Sequence, residues 1–469
     1  MAKQISQETF DDVVKENIED FEMSVVEAVA DAVQQFESQG VNLSMIIRDA
    51  SLYSPDGQKS VHPVIEALKA LSLDADQGAQ NSDPNKQLDI VKQECDLDLS
   101  RRCFAGKNNA YQVLLKSLKR FRTANKEMFV KTLETMCSLC NGQPDLLDEE
   151  GAEYFMDVMK DDKNDETVIA LTVKLVRLNC IKHETNRKMF VKNDLIKELV
   201  RVLTSNKKSP TIVKEVAYGL RVLTQDDDVR VPFGSAHENA KQIVIEGDAL
   251  RQLLAICSDY TSDVNVQGEL FSTLSKLVVR DEFCTEVKDL GGLELILKSF
   301  QTNLTQKGIV RQALELLKAL AGNDDIKIAI VKSGGVQLIL AAMTQHQGNP
   351  QIAAAGCQTL AAIVLRQPAH CSVVIENNGH HVILQAMKVH PNDESVQKQA
   401  CMAIRNIVAR TRDHCAVLLE LGAEELINRA RNLKSCEDEA KAALRDLDCQ
   451  VDLKERWTGE KGSLPQTAY

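Results

Sequence analysis

Seven segments of this chain repeat one short pattern, in which a small or loop-type residue is followed four positions later by a large apolar residue. The first residue of the pattern, called the mark below, stands at Gly151, Leu195, Ala249, Gly292, Gly335, Gly379 and Ala423. Successive marks are 44, 54, 43, 43, 44 and 44 residues apart. A period of about 40 to 47 residues is typical of helical solenoids, because each unit buries its apolar face only against the next unit.

The residues that precede each mark predict helices. In 313–320 and 400–407 the apolar residues fall at i, i+3, i+4 and i+7, the spacing of one helical face. We expect the small residue at the mark to supply a turn that ends one helix, and the apolar run after it to begin the next. Each unit is therefore predicted to be a helix, a short helix, a turn and a helix, and the fold class is all-α.

Composition indicates an intracellular protein. Hydrophobic residues make up 44% of the 469 residues but aromatic ones only 4%, which suits aliphatic packing between stacked helices. Thirteen cysteines, an odd number scattered through predicted helices, favour reduced thiols over a disulfide framework. We find neither an apolar run long enough for a membrane span nor a signal peptide pattern in residues 1–30. We expect a cytoplasmic monomer that does not bind membranes, with nuclear entry left open.

Negative charge is concentrated at the start of the chain. Of the net charge of −12, residues 1–40 carry −8, from ten acidic side chains against two lysines. Apolar residues at helical spacing there predict two acidic amphipathic helices. Because the chain has no basic cluster, we expect no nucleic acid partner. The predicted domains are an acidic helical segment (1–47), a flexible linker with a helix near 64–73 (48–85), a solenoid with degenerate capping ends (86–457) and a C-terminal tail (458–469).

The sequence offers no catalytic motif that we recognise. We find no phosphate-binding glycine loop, nucleophile elbow, His-Glu-x-x-His motif or paired Cys-x-x-Cys set. Cys137 and Cys140 stand at core positions of one predicted helix. Cys284, Cys371 and Cys415 each precede a mark by eight residues, so they fill one repeated slot and are too far apart to chelate one metal ion. We expect no catalytic residue, no metal and no cofactor.

The interval of 54 residues places about ten extra residues around 224–234. Ser235 and Glu238 would start the following helix as a capping box. Loops on rigid scaffolds often carry binding residues. Candidate partner-binding residues in this insertion are Asp226, Asp227, Asp228, Arg230 and Phe233. The alternative is an insertion that is merely solvated.

The chain resembles the armadillo-repeat superfamily over about four fifths of its length, the part that carries the repeat. Short segments at 35–43, at 226–237, and at 442–447 together with 457–459 are also similar in sequence to this superfamily. The resemblance implies a right-handed superhelical solenoid of about eight repeats, preceded here by the acidic helices and the linker. It also implies that the third helix of each repeat lines a concave groove that binds proteins. It implies no reaction.

Two members of the superfamily, importin-α and β-catenin, bind extended peptides in that groove, and importin-α does so with ladders of Asn and Trp. At the Asn positions this chain has Ser138, Arg177, Val222, Lys276, Ala319, Ala362 and Asn406, and at the Trp positions Glu134, Val173, Tyr218, Ser272, Glu315, Gln358 and Met402. The ladders are therefore largely absent. Basic residues at or next to the Asn positions would favour an acidic ligand. The candidate groove residues are Arg177, Tyr218, Arg221, Lys276, Lys318, Met402, Arg405 and Asn406. Alternatively, some of these side chains lie at the rim and are only solvated.

The sequence thus predicts a non-enzymatic scaffold that binds unidentified partner proteins. The bound segments of those partners are expected to be acidic and either helical or extended. One alternative is a transport adaptor like importin-α, which the missing ladder and the absence of a basic N-terminal arm weaken. Another is a regulatory subunit of an enzyme complex.

Overall fold

The computed structural model describes residues 3–55, 57, 60–77, 83–161 and 165–451. Within these ranges the chain has no β-strand, only an isolated parallel bridge between Lys3 and Val41. The chain divides into two compact units, Met1–Ala249 and Leu250–Tyr469. The all-α prediction is confirmed.

The described residues of the first unit form thirteen α-helices and two 3₁₀ helices, Ala50–Leu52 and Pro144–Leu146. The α-helices are α1 (Gln7–Glu19), α2 (Val25–Ser38), α3 (Pro63–Gln77), α4 (Pro84–Leu97), α5 (Leu99–Lys107), α6 (Ala110–Ala124), α7 (Lys126–Cys140), α8 (Glu149–Lys160), α9 (Glu166–Cys180), α10 (Glu184–Lys192), α11 (Leu195–Ser205), α12 (Pro210–Leu223) and α13 (Ala236–Ile245). Helices α4, α7, α9 and α12 pack side by side in that order. We call them the third helices of this unit.

The second unit follows the same plan. Its helices are α14 (Ala249–Asp259), α15 (Val264–Leu277), α16 (Asp281–Asp289), α17 (Gly292–Thr302), α18 (Lys307–Leu320), α19 (Asp324–Lys332), α20 (Gly335–Gln345), α21 (Pro350–Val364), α22 (Pro368–Glu376), α23 (Gly379–Val389), α24 (Glu394–Val408), α25 (His414–Glu420), α26 (Ala423–Ala430) and α27 (Glu437–Asp446). Its third helices are α15, α18, α21, α24 and α27, each packed on the next. The predicted C-terminal tail, and residues 452–457 of the predicted solenoid, lie outside the described residues.

In each repeat we call the helix that starts at or near the mark the second helix, and the short helix before it the first helix. The turn before each second helix falls one residue earlier than we expected from the pattern. Six of the seven marks are the first residue of a helix, and the turn belongs to the residue before them. That residue has φ between 47° and 81° at Asp194, Asp248, Gly291, Gly334, Asn378 and Gly422. Glycine, Asn and Asp tolerate this left-handed region best, which explains the residue types. Gly151 differs, because it lies inside α8, which begins after the N-cap Asp148.

Small residues at the marks have a packing reason of their own. A Cβ atom on Gly335 would lie 2.5 Å from Cγ2 of Ile330 and 2.8 Å from its carbonyl oxygen. Gly379 meets Val374 in the same way, at 2.5 and 2.8 Å. The absence of a side chain therefore lets the second helix start directly against the end of the first.

The acidic N-terminal helices form a packed layer at the start of the first unit. Phe10 of α1 and Phe36 of α2 pack with their ring centroids 6.0 Å apart, in a cluster that also contacts Phe104 of α5. Asp49 forms an ion pair with Arg101 of α5. The segment is thereby held against the helices that follow it.

The helix that we predicted near 64–73, within the expected linker, is present as the packed helix α3. Helix α3 buries Val64, Ala67, Leu68 and Leu71 and packs against α4 and α6. These four residues have the i, i+3, i+4, i+7 spacing of an apolar helical face, so burial outweighs the loop-like composition around them. Residues 56, 58, 59 and 78–82 of the expected linker lie outside the described residues.

Candidate functional site

The third helices of the first unit bring three of the predicted groove residues together. The ring of Tyr218 on α12 lies close to two guanidinium groups, with Arg177 of α9 at 4.2 Å and Arg221 of α12 at 4.4 Å from its centroid. Cations at this distance from a ring face are attracted by its quadrupole. We call Arg177, Glu215, Tyr218 and Arg221 the α9–α12 cluster.

Glu215 fixes the arginine at the back of this cluster. Its Oε2 accepts a hydrogen bond from Nε of Arg177 at 2.9 Å and lies 2.8 Å from Nη2 of the same guanidinium, in an ion pair. Because 215, 218 and 221 are three residues apart, these side chains share one face of α12. The side chain of Arg177 is only 9% exposed, so its positive charge is compensated within the protein. A ligand would meet mainly Tyr218 and Arg221, which are half-buried.

A cleft next to this cluster is lined by charged residues of third helices that were not among the candidates from the sequence. The cleft, of about 450 Å³, is lined by α4, α7 and α9, with Lys92, Asp96, Glu134, Ser138 and Lys174 among its residues. Burial opposes ionisation of Asp96, but hydrogen bonds from Ser138 and Lys92 outweigh it and lower the pKa of this carboxyl. The cleft thus has charges of both signs. The helical spacing of Lys92 and Asp96, four residues apart on α4, was the available signal.

In the second unit the predicted groove residues are spread over three third helices, α15, α18 and α24. Lys276 and Lys318 are exposed near the ends of α15 and α18. Arg405 of α24 is exposed and pairs with Asp446 at 3.3 Å. Asn406 donates from Nδ2 to the carbonyl oxygen of Ala361 on α21, at 3.0 Å.

Met402, the remaining candidate on α24, is half-buried. Asn406, the one match to the Asn ladder, therefore uses its amide N–H to join two third helices. On α21 the residue at the Asn-ladder position is Ala362. Lys276 and Lys318 are thus exposed on third helices of the second unit, and within residues 250–451 we see no contact between an arginine and an aromatic ring like those at Tyr218.

The insertion between α12 and α13 is held down by a network of charged side chains. Arg187 of α10 is fully buried and donates from Nε to Glu184 at 3.0 Å and from Nη1 to Asp227 at 2.7 Å. Asp228 accepts from the backbone N–H of Glu184 at 2.9 Å and from Nε of Arg230 at 2.8 Å. These hydrogen bonds, the one from Arg230 above all, hold the pKa of Asp228 well below its usual range.

Asp145 extends this network to the 3₁₀ helix Pro144–Leu146. It accepts from Nη1 of Arg230 at 2.8 Å and lies 2.8 Å from Nε2 of His183. The segments that follow three successive third helices, α7, α9 and α12, are thereby tied together at 144–146, 181–184 and 224–235. We call Asp145, His183, Glu184, Arg187, Asp227, Asp228 and Arg230 the clasp.

The five predicted insertion residues thus separate into two groups. Asp227, Asp228 and Arg230 form internal contacts of the clasp, whereas Asp226 is exposed and Phe233 is 86% exposed. The expected capping box at Ser235 is wrong. The Ser235 side chain makes no capping hydrogen bond, and its backbone N–H donates to Oε1 of Glu184 at 2.7 Å instead, because the clasp brings that carboxylate to the start of α13.

The described part of the chain shows no cluster of three or more His, Cys, Asp or Glu side chains suited to a metal ion. Cys137 and Cys140 lie buried in α7, and Cys284, Cys371 and Cys415 are buried in α16, α22 and α25. No single helix within the described ranges is long and apolar enough to cross a membrane; α19 and α20 together reach that length and composition, but they are bent by 72°.

Comparison with known proteins agrees with this architecture. A family model described as ARMC6 matches residues 65–465, and a model of the armadillo repeat-containing protein 6 N-terminal domain matches residues 2–70. Armadillo repeat-containing protein 6 of Homo sapiens is 44% identical, over 99% of this chain and 94% of the relative. Its Drosophila melanogaster homolog is 42% identical, over 98% of each chain.

Solved structures support the fold alone, because their sequences are distant. An engineered protein has a TM-score of 0.63 at 17% identity and covers 95% of this chain and 100% of its own. A chain from a structure that concerns a conserved phosphorylation switch controlling the interaction between cadherin and β-catenin has a TM-score of 0.52 at 16% identity, over 81% of this chain and 69% of that one. With helical repeats in both units and relatives matched over almost its whole length, the chain belongs to the armadillo repeat-containing protein 6 family.

Proposed function

We propose that this chain is a non-enzymatic scaffold that binds partner proteins on the exposed faces of its third helices. The armadillo-repeat fold supports a role in protein interaction. Thirteen unpaired cysteines, twelve of them buried, favour a reducing compartment, so we place the protein in the cytoplasm, as a monomer.

The α9–α12 cluster is the observation that carries this proposal. Tyrosine and arginine are the residue types most enriched at energetically important positions of protein interfaces. Here the ring of Tyr218 contacts two arginines, and Glu215 holds one of those arginines in place. A side chain that is already ordered loses little conformational entropy when a partner binds.

The chemistry of these faces favours an acidic partner segment over a basic one. Arg221 in the first unit, and Lys276 and Lys318 in the second, present positive charge on third helices. Glu215 and Asp446 partly compensate Arg177 and Arg405, so the preference rests on fewer residues than the sequence suggested. The Asn and Trp ladders that would clamp a basic import signal are largely missing.

Buried thiols support the non-enzymatic part of the proposal. Burial raises the pKa of Cys137 to about 12, and burial, with the neighbouring Cys137, raises that of Cys140 above its ordinary value. A thiol acts as a nucleophile only as the thiolate. Neither cysteine is therefore prepared for nucleophilic catalysis at neutral pH.

Fluorescence titration with one acidic and one basic extended peptide tests the binding chemistry. We expect the acidic peptide to bind more tightly, and Tyr218→Ala and Arg221→Glu each to weaken it by about tenfold or more. Lys298→Glu on α17, a second helix, makes the same kind of charge change away from the third helices and should have little effect. Tighter binding of the basic peptide, unaffected by Arg221→Glu, would refute the proposal.

A further inference from the structure

The tip of the α12–α13 insertion exposes apolar side chains that the protein itself does not bury. Val229 is 99% exposed and Phe233 is 86% exposed. Isolated exposed apolar residues are common on protein surfaces. These two differ because they stand four residues apart in one short loop whose backbone is anchored on both sides.

The anchoring of this loop requires buried charge. Arg187 is fully buried and Glu184 is 1% exposed, and Asp227 and Asp228 of the loop are bound to these two residues of α10. Removing charged groups from water is expensive, so a buried ionic network is a poor way to gain stability alone. What this network does achieve is a defined path for the loop, from Asp227 to Ser235.

The positive charge of Arg230, within the tip segment, is already engaged in contacts inside the protein. Arg230 donates to Asp228, to Asp145 and to the carbonyl oxygen of Lys182. The tip therefore combines an exposed valine and an exposed phenyl ring with a cation that is neutralised internally. This chemistry suits an apolar pocket and gives little electrostatic attraction to a charged surface.

We propose that the insertion is a second protein-binding site, separate from the third-helix faces, and that Phe233 inserts into an apolar pocket of a partner protein with Val229 packing at its rim. The clasp holds the loop in its binding shape before the partner arrives. Because the ordering is done during folding, association loses less conformational entropy than it would with a mobile loop.

The partner can be found by replacing Phe233 with the photo-crosslinking residue p-benzoylphenylalanine in the full chain. The crosslinked protein, once identified and purified, is then titrated against the unmodified chain. We expect Phe233→Ser to weaken binding by about tenfold or more and Val229→Ser by a few-fold. Raising the salt concentration from about 0.05 to about 0.5 M should change the affinity less than about twofold.

Two controls separate this site from other surfaces. Ile245→Ser on α13 changes an apolar side chain that is 64% exposed and should leave the affinity unchanged. Arg221→Glu should also leave it unchanged, so failure of this proposal is distinguishable from failure of the third-helix site. Circular dichroism and melting temperature should be the same for all four serine and glutamate variants.

Asp227→Asn tests the role of the clasp without altering the tip. It should increase amide hydrogen exchange at 228–234 and weaken binding, mainly through a lower association rate. Three results would overturn the proposal: no crosslinked partner, a crosslink only to a second copy of this chain, or an affinity that Phe233→Ser does not reduce.

Discussion

Nη1 of Arg187 donates a 2.7 Å hydrogen bond to Oδ1 of Asp227, a residue 40 positions later in the chain. The arginine belongs to the first helix of one repeat and the aspartate to the insertion that follows the third helix of the same repeat. Glu184 occupies the other side of the guanidinium, through Nε at 3.0 Å. These hydrogen bonds attach the insertion, which makes the interval between Leu195 and Ala249 the longest, to buried side chains of α10.

Replacing Arg187 with leucine should destabilise the first unit strongly. Glu184 is 1% exposed and would lose its buried cation, and uncompensated buried charges of this kind cost about 3–5 kcal/mol of unfolding free energy. Urea denaturation followed by circular dichroism measures the change. Lys197→Leu, which breaks the exposed pair with Asp194, should have a far smaller effect. Equal effects would show that the clasp does not stabilise the fold.

Asp228→Asn should remove a contribution to stability that is present at neutral pH and disappears in acid. Hydrogen bonds from Arg230 and from the backbone of Glu184 lower the pKa of Asp228 in the folded protein. The unfolded chain titrates this group near about pH 3.9. The ionised carboxylate therefore stabilises the folded state above about pH 4, and the advantage declines as the pH falls toward the lower, folded pKa.

Urea titrations of the wild type and of Asp228→Asn at about pH 7, 5 and 3 test this linkage. The difference in unfolding free energy should be largest at the highest of these pH values and smallest at the lowest. Asp259→Asn, at the exposed end of α14, is the matched charge change and should give a much smaller difference at neutral pH. A difference for Asp228→Asn that does not vary with pH would contradict the proposed ionic role.

The two adjacent glycines at the start of α20, the N-cap Gly334 and the first helical residue Gly335, should differ in their response to alanine. Gly335→Ala places a Cβ 2.8 Å from a backbone carbonyl oxygen, which cannot move easily, so we expect a loss of about 1–3 kcal/mol. Gly334→Ala meets only Oε1 of Gln337, at an ordinary van der Waals distance of 3.8 Å, but its φ of 76° costs about 1–2 kcal/mol for a side-chain-bearing residue.

Gly334→Asn should be tolerated better than Gly334→Ala, because Asn378 occupies the matching position of a later repeat with φ of 60°. Gly308→Ala in α18 serves as the control, since a Cβ there has nothing within 4 Å and alanine favours helix. Melting temperatures should rank Gly308→Ala highest and Gly335→Ala lowest. A Gly335→Ala variant as stable as the wild type would contradict the close-packing explanation.

Thiol labelling should distinguish one cysteine from the other twelve. Cys449 is partly exposed, whereas the remaining cysteines are buried. Burial raises the pKa of Cys257 to about 12, which leaves little thiolate at neutral pH. Ellman's reagent should therefore react with one thiol in the native protein and with all thirteen in urea.

Cys449→Ser should abolish the fast phase of this labelling reaction. Cys257→Ser is the control, because it should lower only the total measured in urea. Rapid reaction of several thiols in the native protein would mean that the third and second helices open on the timescale of the measurement.

The repeat was predictable from the sequence because its signals are local. The spacing of apolar residues in 313–320 indicates a helix through the 3.6-residue turn alone, and Gly291 and Gly334 indicate turns because few other residues accept a positive φ. The same local logic located the insertion near 224–234 and the position of Tyr218 on a third helix. It also placed each turn one residue too late, since a pattern of residue types does not reveal which of two small residues has the left-handed conformation.

Tertiary structure decided which charged side chains are available to a partner. Arg177 and Glu215, and Arg187 and Asp227, are about one repeat apart in sequence, so no helical periodicity links them, and only the stacking of repeats brings them together. Packing also buried α3, a helix predicted within the linker, against α4 and α6. Local residue order determines where helices begin and end, whereas the pairing of charges and the exposure of Val229 and Phe233 depend on distances through space that are set when the helices pack.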